Sequence, residues 1–459
     1  MDASCGNGTT SASRLSFVLE WRGSRPEVGD APGGSVMRSL LLCILALWTA
    51  VPCISLYAET ADTGFVHAQG SELVDGNGHP LMLRGTNLGN WLEPEGYMFL
   101  FEQAPTSPRE IEDYFDELIG PEQAKSFWHR YRDVYITKAD IDMLKSTGMN
   151  SVRVPIHYKF FTRDNDEGLR LLDRVVSWAK ADGMYVVVDM HMAPGGQTGT
   201  NIDDSYGYPW LYDSPGDQTE LIDIWKRIAD HYKDEPTVLG YDLLNEPIPQ
   251  FPQLRKYNSQ LEPLYKRIAA AIREVDTHHV LILGGAQWDT NFSVFGPPFD
   301  KNVMYQFHLY RFGQPWKEED VAGDISQYTK FRDLYHVPIW LGESGENDDN
   351  WIRGFRVLLE KNKIGWCFWP YKKMEKSSAI VSIQPPEHWG EIVKYAGERR
   401  GVGETEKQIG MRPSPEAAAA ALNQLLENVK LAKCRANTGY IEALGLTVPA
   451  SGVPLRAEQ

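Results

Sequence analysis

The sequence predicts an α/β protein built as a single (β/α)8 barrel (TIM barrel), and three observations predict it. From Phe65 onward, a segment of helical periodicity, a glycine and a short apolar strand follow one another repeatedly. Eight such strands can be counted along the chain. The strands also end in polar or aromatic residues rather than more core residues, as they do where a barrel opens at its C-terminal face.

Val74-Asp75-Gly76-Asn77-Gly78 is a turn, fitting a small hairpin at the barrel bottom, and Leu81 to Asn87 reads as the first strand. The long segment that follows, with Trp91, Tyr97, Phe99 and Phe101, exceeds a tight connection and belongs to the active face. A helix over Ala139 to Thr147 stops at Gly148, and strand two runs Ser151 to Ile156. Leu171, Leu172, Val175, Val176 and Ala179 form one helix face ended by Gly183, and strand three is Tyr185 to His191. After a Gly- and aromatic-rich loop, the face Leu221, Ile224, Trp225, Ile228 and Tyr232 leads into strand four, Val238 to Leu244. Leu261, Leu264, Tyr265, Ile268 and Ile272 lead into strand five, Val280 to Gly284. Strand six is Val303 to His308, strand seven is Pro338 to Leu341 ending in Gly342-Glu343-Ser344, and strand eight is Gly365 to Trp369. Gly397 to Arg412 reads as a polar spacer, and Glu416 to Lys433 as the helix after strand eight.

The barrel is expected to occupy residues 63–447, with a tail at 448–459. Residues 37–58 read as a secretory signal, because Met37-Arg38 precedes the apolar run Leu40 to Trp48; a membrane anchor is the alternative. Residues 1–36 lack periodicity and read as a non-native or disordered extension from a start codon placed too early. The expected location is therefore secreted, extracellular or periplasmic. Cys5, Cys43 and Cys53 fall in this leader, leaving Cys367 and Cys434 as either one disulfide or two buried thiols.

A formal net charge of −16 argues against a nucleic-acid or anionic-membrane partner and fits a neutral carbohydrate substrate. Fourteen Trp and twenty-one Tyr exceed ordinary packing needs and could stack on sugar rings; Tyr208, Trp210, Tyr212 and Trp316 are loop candidates, although such residues also pack on their own loops. The histidines show no metal-ligand spacing, so no metal is expected, and nothing implies an obligate protein partner; a monomer is expected.

The strand ends carry Asn87, Arg153, His191, Asn245 with Glu246, Trp288 just past strand five, His308 with Tyr310, Glu343 and Trp369. Two carboxylates on two strand ends suit glycoside cleavage, which needs an acid for the departing oxygen and a second carboxylate to capture the anomeric carbon or activate water. Glu246 is read as the proton donor and base and Glu343 as the nucleophile, kept ionised by Arg153 and the Tyr310 hydroxyl. Spacing along the chain does not distinguish retention from inversion.

Leu244-Asn245-Glu246-Pro247, the Arg153 strand, Asp189-Met190-His191, His308-Leu309-Tyr310, Trp340-Leu341-Gly342-Glu343 and the Trp369 strand together resemble glycoside hydrolase family 5, the cellulase family of clan A. The resemblance runs from about Phe65 to Leu446. It implies a (β/α)8 barrel, retention, no cofactor, and a site lined by Arg153, His191, Asn245, His308, Tyr310 and Trp369. Within that family, Arg84 to Glu93 is similar to the opening of exo-β-1,3-glucanase and β-glucosidase-like members. There an acidic residue holds the non-reducing-end sugar, here Glu93 or Glu95, with Glu93 taken into the expected site. The expected activity is a secreted retaining β-glycosidase of β-linked glucans or related oligosaccharides. The alternatives are a mannan, galactoside, arabinoside or glycolipid substrate, or a non-catalytic carbohydrate-binding barrel.

Overall fold

The computed structural model describes residues 64–449, apart from 201 and 399. The expected extension 1–36, the signal or anchor 37–58 and most of the tail lie outside the described residues, all of which belong to the unit Ala58–Gln459.

Eight parallel strands close into a barrel: β1 (Arg84–Asn87), β2 (Ser151–His157), β3 (Tyr185–Met192), β4 (Val238–Asp242), β5 (Val280–Gly284), β6 (Val303–His308), β7 (Ile339–Glu343) and β8 (Gly365–Phe368). They lie in sequence order, and β8 closes on β1 by pairing Trp366 with Arg84 and Phe368 with Thr86. Helices such as Lys138–Thr147, Glu167–Asp182, Pro215–Tyr232 and Asn258–Arg273 cover the outside. The first two end as expected: Gly148 and Gly183 adopt left-handed φ of 100° and 62°, a conformation that a side chain would oppose.

The barrel interior is a packed core. Val187, Leu239, Val280, Ile282, Met304, Trp340 and Cys367 point inward, and Val66 and Leu73 of the leading hairpin join them. That hairpin pairs His67–Gln69 with Glu72–Val74, so its turn falls earlier than expected; the Val74 to Gly78 turn instead brings Val74 back to Pro80. Leu81 donates its amide to Leu73 at 2.8 Å, which is why β1 starts only at Arg84.

The return after β8 also differs from expectation. Short strands at Lys372–Met374 and Val381–Ile383 and the helix Trp389–Ala396 come first, and the spacer read as merely polar contains the helix Thr405–Met411. The Ala/Leu-rich helix, Pro415–Asn428, then packs on Pro108–Ile119 and Pro121–Tyr135, two helices inserted between β1 and β2. Its apolar face is thus satisfied by another loop's helices rather than by β8. Cys367 and Cys434 are both buried free thiols, one inside the barrel and one in this outer layer, so the disulfide alternative is excluded. Among the described residues no helix is long and apolar enough to cross a membrane.

Candidate active site

The parallel register sets the height of each side chain. Asn87 pairs with Arg153 across β1 and β2, Asp189 with Asp242 across β3 and β4, and His308 with Glu343 across β6 and β7. At this level a fully buried Arg153 spans the barrel. Its Nη1 donates to Glu343 Oε1 at 2.6 Å and to Asn87 Oδ1 at 2.9 Å, its Nε to Asp242 Oδ2 at 2.9 Å, and its Nη2 to Asn245 Oδ1 at 2.9 Å. Asp189 Oδ1 lies 3.0 Å from the same Nη2. One guanidinium therefore faces three carboxyl groups. Burial pushes Asp189 up to about 7 and raises Asp242 well above the ordinary carboxylate range, while Arg153 opposes both shifts.

Above this layer opens a cavity of about 480 Å³ whose walls include His191, Asn245, Glu246, Trp288, His308, Tyr310, Glu343 and Trp369, all residues that lie at or just past strand ends. Asn87 and Arg153 do not reach it; they stand beneath and position what does. Of Glu93 and Glu95, only Glu95 lines the wall. Glu93 is fully buried behind it and accepts a hydrogen bond from the Asn90 amide. Tyr208, Trp210, Tyr212 and Trp316 lie outside this cavity, and most of the aromatic surplus is packing, as in the Phe307–Tyr328 stack at 4.1 Å.

Glu343 Oε2 accepts from the Tyr310 hydroxyl at 3.0 Å, so both of its oxygens are held by donors. Glu246 is held differently. The strand carrying it stops at Asp242, and Glu246 sits four residues beyond, with a left-handed φ of 46°. Its amide donates to Asp289 Oδ2 at 3.0 Å, and its Oε1 shares a hydrogen bond of 2.9 Å with His308 Nδ1. Burial raises the Glu246 pKa, against the pull of His191 and Arg153. Carboxylate oxygens of Glu246 and Glu343 and a His308 nitrogen all lie within 4.8 Å of one another.

His191 donates through Nδ1 to Asp189 Oδ2 at 2.8 Å and lies flat against Trp369, ring centroids 5.4 Å apart and planes 8° apart. The Trp369 indole is pinned by its Nε1 donating to the Tyr97 hydroxyl at 2.6 Å and by Gly89, where a Cβ would come within 2.4 Å of the ring. Burial lowers His191 to about 4 and His308 to about 3, so both imidazoles are neutral over the ordinary pH range.

Sequence reasoning missed Asp242, Asp289 and Glu346, and it named Tyr97 only as part of a segment on the active face. Asp242 could have been found by strand alternation, since it shares a face with Gly240 at the end of β4. Asp289 could not: it is the last of three consecutive left-handed residues, Gln287, Trp288 and Asp289, whose path no composition signal announces. Among the described residues, two groups have the residue types of a cation site, Glu93-Glu95-His191 and Glu246-His308-Glu343. In the second, His308 Nδ1 is already hydrogen-bonded to Glu246.

The family model Cellulase (glycosyl hydrolase family 5) matches residues 113–375. A beta-xylosidase of Phanerodontia chrysosporium is 29% identical over 345 residues, spanning 67% of this chain and 71% of its own. Glucan 1,3-beta-glucosidase 2 of Wickerhamomyces anomalus is 30% identical over 266 residues, spanning 54% and 60%. Among solved structures, a beta-glucanase from Saccharophagus degradans shares the fold with a TM-score of 0.51 at 19% identity, over 80% of this chain and 94% of that one.

Proposed function

Because this chain belongs to glycosyl hydrolase family 5, the cellulase family, and is a glycoside hydrolase, we propose that it is a retaining β-glycosidase acting on β-linked glucans or related oligosaccharides. The observation that carries retention is the approach of one oxygen of Glu246 and one of Glu343 to within 4.8 Å of each other in the cavity. Retaining enzymes hold their carboxyl groups about 5–5.5 Å apart, whereas inverting enzymes need about 6.5–9.5 Å to admit a water.

In this mechanism Glu343 attacks the anomeric carbon while Glu246 gives its proton to the departing oxygen. The aglycone leaves as an alcohol and the sugar stays as an ester on Glu343. Glu246, now a carboxylate, takes a proton from water as that water attacks the same carbon from the face the aglycone left; the ester bond to Glu343 breaks, returning Glu343 as a carboxylate and Glu246 as the acid. Arg153 and Tyr310 donate to both oxygens of the nucleophile and so fix its orientation, and burial favours the protonated form of the acid Glu246. Trp369 offers an apolar face for the ring of the sugar undergoing attack. Glu95, on the cavity wall where Glu93 is not, suits the role of holding a terminal sugar.

The glucan reading draws on the resemblance to glucan 1,3-beta-glucosidase, and the beta-xylosidase keeps a second glycone, xylose, in view. Export is part of the same reading and is supported by the apolar run Leu40 to Trp48 behind Met37-Arg38. The test of mechanism is ¹H NMR of an aryl β-glucoside or cellooligosaccharide reaction, observed before mutarotation. The β-anomer as first product is expected; the α-anomer would overturn retention.

A further inference from the structure

The cavity holds four carboxylates, Glu95, Glu246, Glu343 and Glu346, and the proposed chemistry uses only two. Glu346 follows the nucleophile by three residues with a left-handed φ of 53°, a conformation that costs a non-glycine residue about 1 kcal/mol or more and persists where the surroundings over-determine it. The surroundings here are Lys373, on the short strand after β8. Its side chain is only 2% exposed and stays outside the cavity lining, and its ammonium pairs with both Glu346 oxygens. The Ser378 hydroxyl donates to Glu346 Oε2 at 3.2 Å, and the same ammonium lies 5.4 Å from the Tyr97 ring centroid. Tyr97 in turn holds Trp369. A buried cation thus fixes Glu346 from behind, and it braces the wall that carries the Trp369 platform. The barrel order makes the segments after β7, β8 and β1 neighbours, so they form one charged wall; Trp288 follows β5, four strands from β1, and so stands across the mouth from the Glu95 and Tyr97 part of it.

We propose that Glu346, clamped by Lys373, is a specificity-determining residue that accepts hydrogen bonds from hydroxyls of the sugar lying on Trp369, so that the charged wall is the glycone side of the cavity. A carboxylate held rigid by a rear ion pair keeps its remaining lone pairs aimed into the cavity and pays little ordering entropy when a hydroxyl docks. A ligand with hydroxyls along one ring edge fits such a wall. This rests on the glycosidase reading above and adds to it which residues choose the sugar.

The test compares wild type, Glu346→Gln and Lys373→Met on aryl β-glucoside, aryl β-xyloside and monodeoxy aryl β-glucosides, recording kcat and KM separately. On the best glycoside, Glu346→Gln should lose about 10–100-fold in kcat/KM, the range for a hydrogen bond to a charged group. On the deoxy substrate lacking the bonded hydroxyl it should lose less than about threefold, because that contact is already missing. Lys373→Met should show the same substrate pattern at smaller size. Equal losses on every substrate, or no change on any, would overturn the proposal. Should Glu346→Gln fail to fold by its thermal melt, the Lys373→Met pattern decides alone. Wild type inert on all aryl β-glycosides would instead sink the underlying glycosidase reading.

Discussion

The backbone amide of Glu246 is tied to Asp289, a residue delivered by the loop after the next strand, at 3.0 Å. Both residues are left-handed, and Asp289 Oδ2 also lies 3.4 Å from His308 Nε2. This one carboxyl therefore helps set the direction from which Glu246 enters the cavity. Asp289→Ala should lower kcat by about 10²-fold with the fold intact, the scale of a misplacement near 1 Å, and Asp289→Asn, which keeps an acceptor, should do much less harm. Gly284→Ala supplies an independent check. Its Cβ would fall 1.8 Å from Asp289 Oδ1, so it should displace the carboxyl and reproduce the Asp289→Ala kinetics; near-native turnover would refute this positioning role.

Glu343→Ala removes the nucleophile. Turnover should fall by about 10⁴-fold or more, and sodium azide should restore part of it as the inverted glycosyl azide, identified by NMR. A variant with near-native rate would remove Glu343 from the mechanism.

Glu246→Ala should act selectively. Substrates with poor leaving groups need a proton and should lose about 10²–10⁴-fold, while dinitrophenyl glycosides should be cleaved at nearly the wild-type glycosylation rate. Equal losses on both would mean that Glu246 is structural.

Arg153 is the cation common to Asp189, Asp242 and Glu343. Arg153→Met leaves three buried carboxyls without it and should cost about 3–5 kcal/mol in urea unfolding. Arg153→Lys retains the charge but not the fork that reaches Asn87, Asp242, Asn245 and Glu343 together. It should fold and yet lose about 10²-fold in kcat.

His308, lowered to about 3 chiefly by burial, is neutral in the folded protein, whereas an unfolded histidine titrates near about 6.5. Below about pH 6.5 the unfolded chain binds the extra proton, so the stability this residue contributes is full above that pH and is lost as pH falls through about 3. The raised carboxyls of Asp189 and Asp242 run the other way, their contribution being present at low pH and lost as pH rises through their folded values. The informative quantity is thus the difference in unfolding free energy between wild type and His308→Asn. It should be flat above about pH 6.5 and move in the variant's favour by about 1.4 kcal/mol per unit below it. A pH-independent difference would contradict a buried neutral imidazole.

The sequence by itself determined the barrel and most of the ring at its mouth. Helix, glycine and strand repeat because each β/α unit buries one strand and one helix face, and that periodicity is local; so the positions of Glu246, Glu343, His191, His308, Tyr310 and Trp369 at or just past strand ends are legible in the sequence. Tertiary structure alone decided what lies beyond the strand ends. Glu95 rather than Glu93 reaches the cavity because the Asn90 amide and side chain bind the two glutamates differently. Asp289 and Glu346 arrive through left-handed backbone that only their partners stabilise, and Lys373 comes from a strand that the sequence concealed inside a polar return. Which loop reaches the mouth, and which carboxylate it carries there, depends on contacts between segments far apart in the chain, and no window of residues encodes those.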